Sequence, residues 1–150
     1  MRIAGPGASD LLMIRTFCDA GVLIAAARDI SRDGESALQL LADPNRVFLT
    51  SPFVRLEVVP KTIFYHRRLE RAFYERYFDS AIWFRDLDKI EGAAQAEAAK
   101  SGLGAMDALH LAGAYLSGAD EFVTTERARE GDSQVLAGQG CLSVPVIYRP

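Results

Sequence analysis

Cysteine, tryptophan and histidine are scarce in this 150-residue sequence, which contains two, one and two of them. The two cysteines, Cys18 and Cys141, are far apart and match no metal-ligand spacing, so we expect reduced thiols, although the spacing does not forbid a disulfide. No apolar run approaches the roughly 20 residues that a transmembrane helix needs, and no basic-then-apolar leader opens the chain. These absences predict a cytoplasmic protein.

The net charge is also small. The sequence has 17 Lys and Arg against 20 Asp and Glu, a net charge of -3. The chain as a whole therefore does not attract nucleic acid or anionic lipid, and either partner requires a local basic patch. We see no internal repeat and no linker, and the length suits one domain with a substantial core. We predict an N-terminal extension over residues 1–14 and a single domain over residues 15–150.

Short apolar segments alternate with longer helical ones along the chain. Strands are predicted at residues 15–19, 47–50, 81–84, 122–125 and 144–148. This alternation is typical of a three-layer α/β/α sandwich with a mostly parallel central sheet. Pro145 cannot donate to a strand ladder, which places the last strand at a sheet edge. A helix is predicted to begin at Pro52, after Ser51 as its cap, and to kink or end at Pro60.

Residues 104–126 carry the strongest functional pattern. Asp107 lies in the first turn of a predicted helix that is otherwise small or apolar, and the strand that follows ends at a second acid, Glu126. A helix that is apolar on nearly every side is expected to be buried, so the charge of Asp107 must be compensated. The helix N-terminus contributes roughly 0.3–1 kcal/mol, and a bound cation would contribute more.

Two further acids occupy comparable positions. Asp19 follows the first strand, and the carboxyl ends of strands in open α/β sheets border the ligand crevice. Taken alone, such an Asp is more often a turn or helix-capping residue. Glu57 shares a helix face with apolar side chains and points either to a cleft or to a half-exposed surface. The topology thus permits Asp19, Glu57, Asp107 and Glu126 to converge.

Converging carboxylates raise one another's pKa values unless a cation lies among them. Mg²⁺ and Mn²⁺ are hard ions that bind carboxylate and water oxygens and keep positions open for a substrate phosphate. One or two such ions can ionise a water and stabilise the leaving oxygen of an in-line displacement at phosphorus. The acids therefore favour phosphodiester chemistry.

The basic part of the chain is residues 61–77, where arginines alternate with phenylalanine and tyrosine. This combination suits phosphate contacts and base stacking. A solvated surface is the more common outcome because Glu70 and Glu75 are intermixed, and exposed aromatic residues also mark dimer contacts. A homodimer is expected, and the candidate RNA-binding residues are Arg55, Lys61, Arg67, Arg68 and Arg71.

Four segments together resemble the PIN domain family: residues 17–23 (FCDAGVL), 51–57 (SPFVRLE), 104–112 (GAMDALHLA) and 122–126 (FVTTE). The likeness extends over about residues 15–148. It implies an α/β/α sandwich and a Mg²⁺- or Mn²⁺-dependent ribonuclease that cleaves an RNA substrate. Many small members, the VapC-like toxins, belong to toxin–antitoxin pairs and are silenced by a small antitoxin protein. The implied metal ligands are Asp19, Glu57, Asp107 and Glu126, and Thr124 is implied to orient a metal-bound water.

The chain departs from the family pattern at two places. Ala20 and Gly21 stand where the family usually has Ser or Thr and then Asn, and such outer-shell groups typically matter about 10- to 100-fold. Glu126 replaces the more usual Asp and is one methylene longer, with Glu130 as a weaker substitute. His110, three residues after Asp107, is more often a hydrogen-bonded core residue than a catalyst.

Three hypotheses follow from the sequence. The first is a metal-dependent endoribonuclease. The second is a catalytically weakened PIN-fold protein that acts as a protein- or RNA-binding module, which the departures at Ala20 and Gly21 favour. The third, a phosphatase with a covalent aspartyl-phosphate on Asp19, lacks the second acid it usually has two residues later, where Gly21 stands.

Overall fold

The computed structural model describes residues 13–28 and 32–125, and the backbone of residues 142–145. Its elements are β1 (Ile14–Cys18), α1 (Ala20–Arg28), α2 (Arg32–Leu41), β2 (Arg46–Thr50), α3 (Pro52–Phe64), α4 (Arg68–Ser80), β3 (Ile82–Trp83), α5 (Leu87–Ser101), α6 (Ala105–Leu116), β4 (Glu121–Thr124) and β5 (Leu142–Pro145). Several predictions lie outside the described residues: nearly all of the N-terminal extension, Glu126, Glu130, Cys141 and the end of the last strand at residues 146–148. No helix in the described ranges is both long and apolar enough to span a membrane.

The strands form one sheet in the order β3-β2-β1-β4-β5. The pairs β1 with β2, β1 with β4, and β2 with β3 are parallel, whereas β5 pairs antiparallel with β4 at the edge. The predicted mostly parallel sheet is confirmed, as is the edge position of the last strand. That strand begins two residues earlier than expected because Leu142 and Ser143 pair with Thr124 and Val123.

The central strand β1 is buried on both sides, as expected for a parallel strand covered by helices. Phe17 and Cys18 are both fully buried. The ring of Phe17 stacks on Phe122 with centroids 6.1 Å apart. Helix α6 comes close on the same side, since a Cβ atom on Gly113 would lie 3.1 Å from the Phe17 ring. Gly113 therefore lets α6 approach the sheet closely, and a larger residue there would press on the Phe17 ring.

The sequence predicted that α3 would kink or end at Pro60. The helix does not end there but continues to Phe64. Proline removes one backbone N–H from the helix and leaves the carbonyl one turn earlier without its partner. Both Pro60 and Leu56, which carries that carbonyl, are exposed, so water can satisfy the carbonyl. The chain leaves the helix at His66, which has a left-handed φ of 55°. The basic segment is thereby divided between α3 and α4.

Candidate active site at the carboxyl end of the sheet

Asp19 lies between β1 and α1 and is 7% exposed. Its Oδ1 accepts a hydrogen bond from the backbone N–H of Val22 at 3.1 Å, so the residue caps α1 as the simpler interpretation predicted. Its Oδ2 accepts a hydrogen bond from the hydroxyl of Thr124, with the oxygens 2.5 Å apart. Asp19 is therefore both a helix cap and part of a contact between neighbouring strand ends.

The Asp19–Thr124 contact exists because β1 and β4 are adjacent parallel strands. Cys18 pairs with Val123, and the N–H of Asp19 donates to the carbonyl of Val123 at 3.0 Å. Residues at the carboxyl ends of these two strands, Asp19 after β1 and Thr124 at the end of β4, therefore meet at one edge. A buried carboxylate needs compensation, and the N-terminus of α1 and the Thr124 hydroxyl supply part of it.

Thr125 is a site neighbour that the sequence analysis missed. A Cβ atom on Gly21 would lie 2.4 Å from Thr125 Oγ1 and 3.2 Å from Asp19 Oδ1. The space beside Gly21 is thus filled by a hydroxyl from the end of β4, close to the carboxylate of Asp19. Gly21 is not simply a lost polar group, because its missing side chain makes room for another one. The available signal was a glycine after the first acid combined with a second threonine before Glu126.

An open cavity of about 600 Å³ adjoins this position. It lies along α1 and α2, and its lining residues are Gly21, Ile24, Ala25, Arg28, Asp33 and Thr125. Gly21 and Thr125, which lie beside Asp19, thus border the cavity, whereas Asp19 is not among its lining residues.

Glu57 on α3 contacts His110 on α6. The Glu57 Oε2 and His110 Nε2 atoms are 2.5 Å apart, and the two side chains are 35% and 3% exposed. The expectation that His110 is a hydrogen-bonded core residue is confirmed. Nδ1 of the same ring is buried and has no hydrogen-bond partner among the described residues.

Asp107 lies in the first turn of α6, as predicted, and its side chain is half-buried. Its Oδ2 lies 3.9 Å from the position that a Cβ on Gly104 would occupy, so the carboxylate stays close to the start of its own helix. This is the end of a helix where a negative charge is stabilised. Asp107 precedes His110 by three residues, which places the two on neighbouring positions of one helix face.

Among the candidate acids that the structure describes, Asp19 thus contacts Thr124, and Glu57 contacts His110. Within residues 13–28 and 32–125, no three His, Cys, Asp or Glu side chains lie together in a way that could hold a metal ion. Their carboxylate oxygens have the chemistry that a hard divalent ion prefers. The donor types therefore fit Mg²⁺ or Mn²⁺, while the convergence of all four acids stays a prediction.

Some of the predicted RNA-binding residues contact other side chains of the protein, and others are exposed to solvent. Arg55 donates two hydrogen bonds to the Glu75 carboxylate, at 3.0 and 2.7 Å, and this contact lowers the pKa of Glu75. The guanidinium of Arg67 lies 4.9 Å from the centre of the Tyr65 ring and 3.8 Å from Glu70. The exposed members of the set are Lys61, Arg68 and Arg71.

The fold is that of an α/β protein with a mostly parallel sheet, an acid directly after its central strand and a second acid in the first turn of α6. The PIN domain family model matches residues 16–128, about three quarters of the chain. This protein belongs to the PIN domain family.

Solved structures with the same fold include three from bacteria. VapBC2 from Rickettsia felis, bound to a promoter DNA fragment, is 17% identical, with 75% of this chain and 89% of that chain covered and a TM-score of 0.58. A toxin–antitoxin complex from Klebsiella pneumoniae is 21% identical, with 74% and 86% covered and a TM-score of 0.57. VapC20 from Mycobacterium tuberculosis, a Sarcin-Ricin loop cleaving toxin, is 19% identical, with 78% and 91% covered and a TM-score of 0.58. No curated protein matches the chain.

Proposed function

We propose that this PIN-domain protein is a metal-dependent endoribonuclease that hydrolyses RNA phosphodiester bonds. The observation that carries the proposal is the carboxylate of Asp19, buried at the carboxyl end of the central strand and held there by two hydrogen bonds. Ser or Asn would cap the helix about as well without the cost of burying a charge. A carboxylate kept in this position suits the binding of a cation.

The acids that would hold a Mg²⁺ or Mn²⁺ ion are Asp19, Glu57, Asp107 and Glu126. Such an ion supplies charge neutralisation for the phosphate and a more acidic water. The chain's own contribution is to orient the ligands. Val22 and Thr124 each fix one oxygen of Asp19, and the start of α6 stabilises the charge of Asp107.

The hydrolysis adds water across one P–O bond of the RNA backbone. The oxygen of the water forms a new bond to phosphorus, the bond to the leaving ribose oxygen breaks, and that oxygen gains a proton. One fragment ends in a phosphate and the other in a hydroxyl group.

The exposed basic side chains of α3 and α4 would hold the RNA backbone. Lys61 follows Glu57 by four residues and so projects from the same side of α3. Arg68 and Arg71 are exposed on α4. In this proposal Arg55 does not hold the RNA, because its guanidinium is bound to Glu75 and connects α3 to α4.

We further propose that the chain is the toxin of a toxin–antitoxin pair and forms a homodimer. The likeness to VapBC2 and to the toxin–antitoxin complex supports the first part. Exposed apolar side chains near the α3–α4 junction are suited to a protein partner, whether a small antitoxin or a second copy. They are Leu56, Ile63, Phe64, Tyr65 and Leu69.

The test is cleavage of labelled RNA by the purified protein after chelation of metals and after readdition of Mg²⁺ or Mn²⁺. We expect activity only with added metal and a loss of about 100-fold or more in Asp107→Asn, since a group acting on transition-state charge is removed. Asp79→Asn is the matched control because Asp79 is exposed on α4. Equal activity of Asp107→Asn and Asp79→Asn would rule out the proposed site.

The second candidate is a binding module with a weakened site. It is favoured by two observations. Glu57 is hydrogen-bonded to His110, and the described residues contain no group of three His, Cys, Asp or Glu side chains that could hold a metal ion. Calorimetric titration with Mn²⁺ separates the two candidates. A binding isotherm that disappears in Asp19→Asn supports the nuclease, whereas RNA or protein binding without any Mn²⁺ binding supports the module.

A further inference from the structure

The contact between Glu57 and His110 joins two helices at the candidate site. His110 is 3% exposed on α6, whereas Glu57 is 35% exposed on α3, so a buried ring meets a carboxylate at the border of the solvent. A carboxylate only accepts hydrogen bonds, so Nε2 of His110 carries the hydrogen and donates it to Oε2 of Glu57. The hydrogen-bond donor is therefore the buried residue, and the acceptor is the partly exposed one.

Histidine is a costly residue at this place in the core. Its Nδ1 is buried without a hydrogen-bond partner among the described residues, and an unsatisfied buried polar atom is unfavourable. The buried positions that share a face of α6 with His110, three and four residues later, are Gly113 and Ala114, which are small and have no polar side-chain atoms. An apolar side chain at position 110 would avoid the cost, so packing alone does not explain the imidazole.

The contact uses only one oxygen of Glu57. Within the described part of the chain, Glu57 makes no hydrogen bond or ion pair other than the one with His110. Its Oε1 is therefore available to a ligand on the exposed side. A hydrogen bond to one oxygen of a carboxylate also restricts the orientation of the other oxygen. Outer-shell partners commonly orient metal ligands in this way.

The same contact relates Glu57 to Asp107. His110 and Asp107 are three residues apart on α6, hence on adjacent positions of one face. Fixing Glu57 to His110 therefore fixes it to the helix that carries the other acid, although the two acids come from elements far apart in sequence.

We propose that His110 is a positioning residue, which holds one oxygen of Glu57 so that the other faces a divalent cation shared with Asp107. The role rests on the proposed nuclease function, because it concerns the same site. His110 does not touch RNA in this role. It acts through Glu57.

The test compares His110→Gln with His110→Met. Both replacements are unbranched and similar in length, but only glutamine keeps an N–H donor. We expect His110→Met to weaken Mn²⁺ binding by about 10- to 100-fold in calorimetry and to lower kcat with little change in KM for RNA. His110→Gln should recover most of both losses. In the Glu57→Gln background, His110→Met should cause little further loss, since the pair acts as a unit.

A spectroscopic measurement does not depend on the folding of a His110 variant. The Nε2 hydrogen of His110 should give a protected, downfield proton resonance in the metal-free wild-type protein, and Glu57→Gln should shift or abolish it. An absent resonance in the wild type would overturn the proposed contact.

Two results distinguish this inference from the proposed function. An active wild type whose His110→Met variant binds Mn²⁺ normally and loses only melting temperature would overturn the positioning role and leave the nuclease intact. A wild type that neither binds Mn²⁺ nor cleaves RNA would overturn the proposed function and this role with it.

Discussion

The Asp19–Thr124 and Glu57–His110 contacts hold their acids in different ways. Asp19 is nearly inaccessible and is held by a backbone N–H and by a hydroxyl of the adjacent strand, so its position follows from the sheet register. Glu57 is partly exposed and is held by a buried ring of a neighbouring helix, so its position depends on how α3 and α6 pack. The comparison suggests a site built from one acid fixed by the sheet and one fixed by helix packing.

The largest effects are expected when Asp19 and Glu57 are each replaced by the corresponding amide. Asp19→Asn should lower RNA cleavage by about 100-fold or more, because it removes the charge of a buried carboxylate at the proposed site. Glu57→Gln should lower it by about 10-fold, as expected when an exposed ligand is replaced by a weaker oxygen donor. Single-turnover cleavage at saturating Mn²⁺ measures both. The reverse ranking would contradict the view that the sheet carries the principal ligand.

A substitution at Gly21 tests the close approach of Gly21 and Thr125 at the carboxyl end of the sheet. Gly21→Ala should destabilise the protein by about 1–3 kcal/mol because its Cβ would lie 2.4 Å from Thr125 Oγ1. Adding Thr125→Gly should relieve most of that loss. Urea unfolding gives the free energies.

Gly92→Ala is the matched control for this substitution. A Cβ on Gly92 has nothing within 4 Å, and the residue lies inside α5. Alanine there should stabilise the protein by about 0.5–1 kcal/mol. Equal effects at both glycines would mean that the hydroxyl of Thr125 does not occupy the space beside Gly21.

Thr124→Val tests how Asp19 is held. The replacement keeps the shape of the side chain and removes the hydroxyl that donates to Oδ2. We expect a loss of about 1.5–3 kcal/mol in the free energy of unfolding, the usual range for a hydrogen bond to a charged group. Thr124→Ser should lose less because it keeps the donor, and identical losses in both variants would argue against the hydrogen bond.

The smallest expected effect concerns the ion pair of Arg55 and Glu75, which connects α3 to α4. The hydrogen bonds from Arg55 lower the pKa of Glu75 in the folded protein. A lowered folded-state pKa means that the stabilisation is present above the unfolded-state pKa and is lost as the pH falls through the folded-state value. Because both groups are about one third exposed, we expect only about 0.5 kcal/mol.

Urea unfolding at pH 7 and pH 3 checks this expectation. Glu75→Gln should be slightly less stable than the wild type at pH 7 and equal to it at pH 3. Its RNA cleavage should be unchanged at neutral pH, since the packing of α3 on α6 does not involve Glu75. A loss of cleavage would show that Glu57 depends on the α3–α4 contact as well.

Local patterns identified most of the fold. The first four strands begin and end within one residue of their predicted bounds, because short apolar runs between helical segments leave few alternatives. Pro60 did not predict the end of α3, since the effect of a proline depends on whether the carbonyl one turn earlier faces water. That exposure is a property of the folded surface.

The sequence by itself determined the family, the parallel sheet, the place of Asp19 after β1 and the place of Asp107 in the first turn of α6, since each depends on the order of residues along short segments. Only the tertiary structure decided that Thr124 holds Asp19, that Thr125 fills the space beside Gly21 and that His110 grips Glu57. The partners in these contacts are 53 to 105 residues apart. No local pattern encodes such a contact, because it arises from the strand order and from how closely α3 and α6 pack.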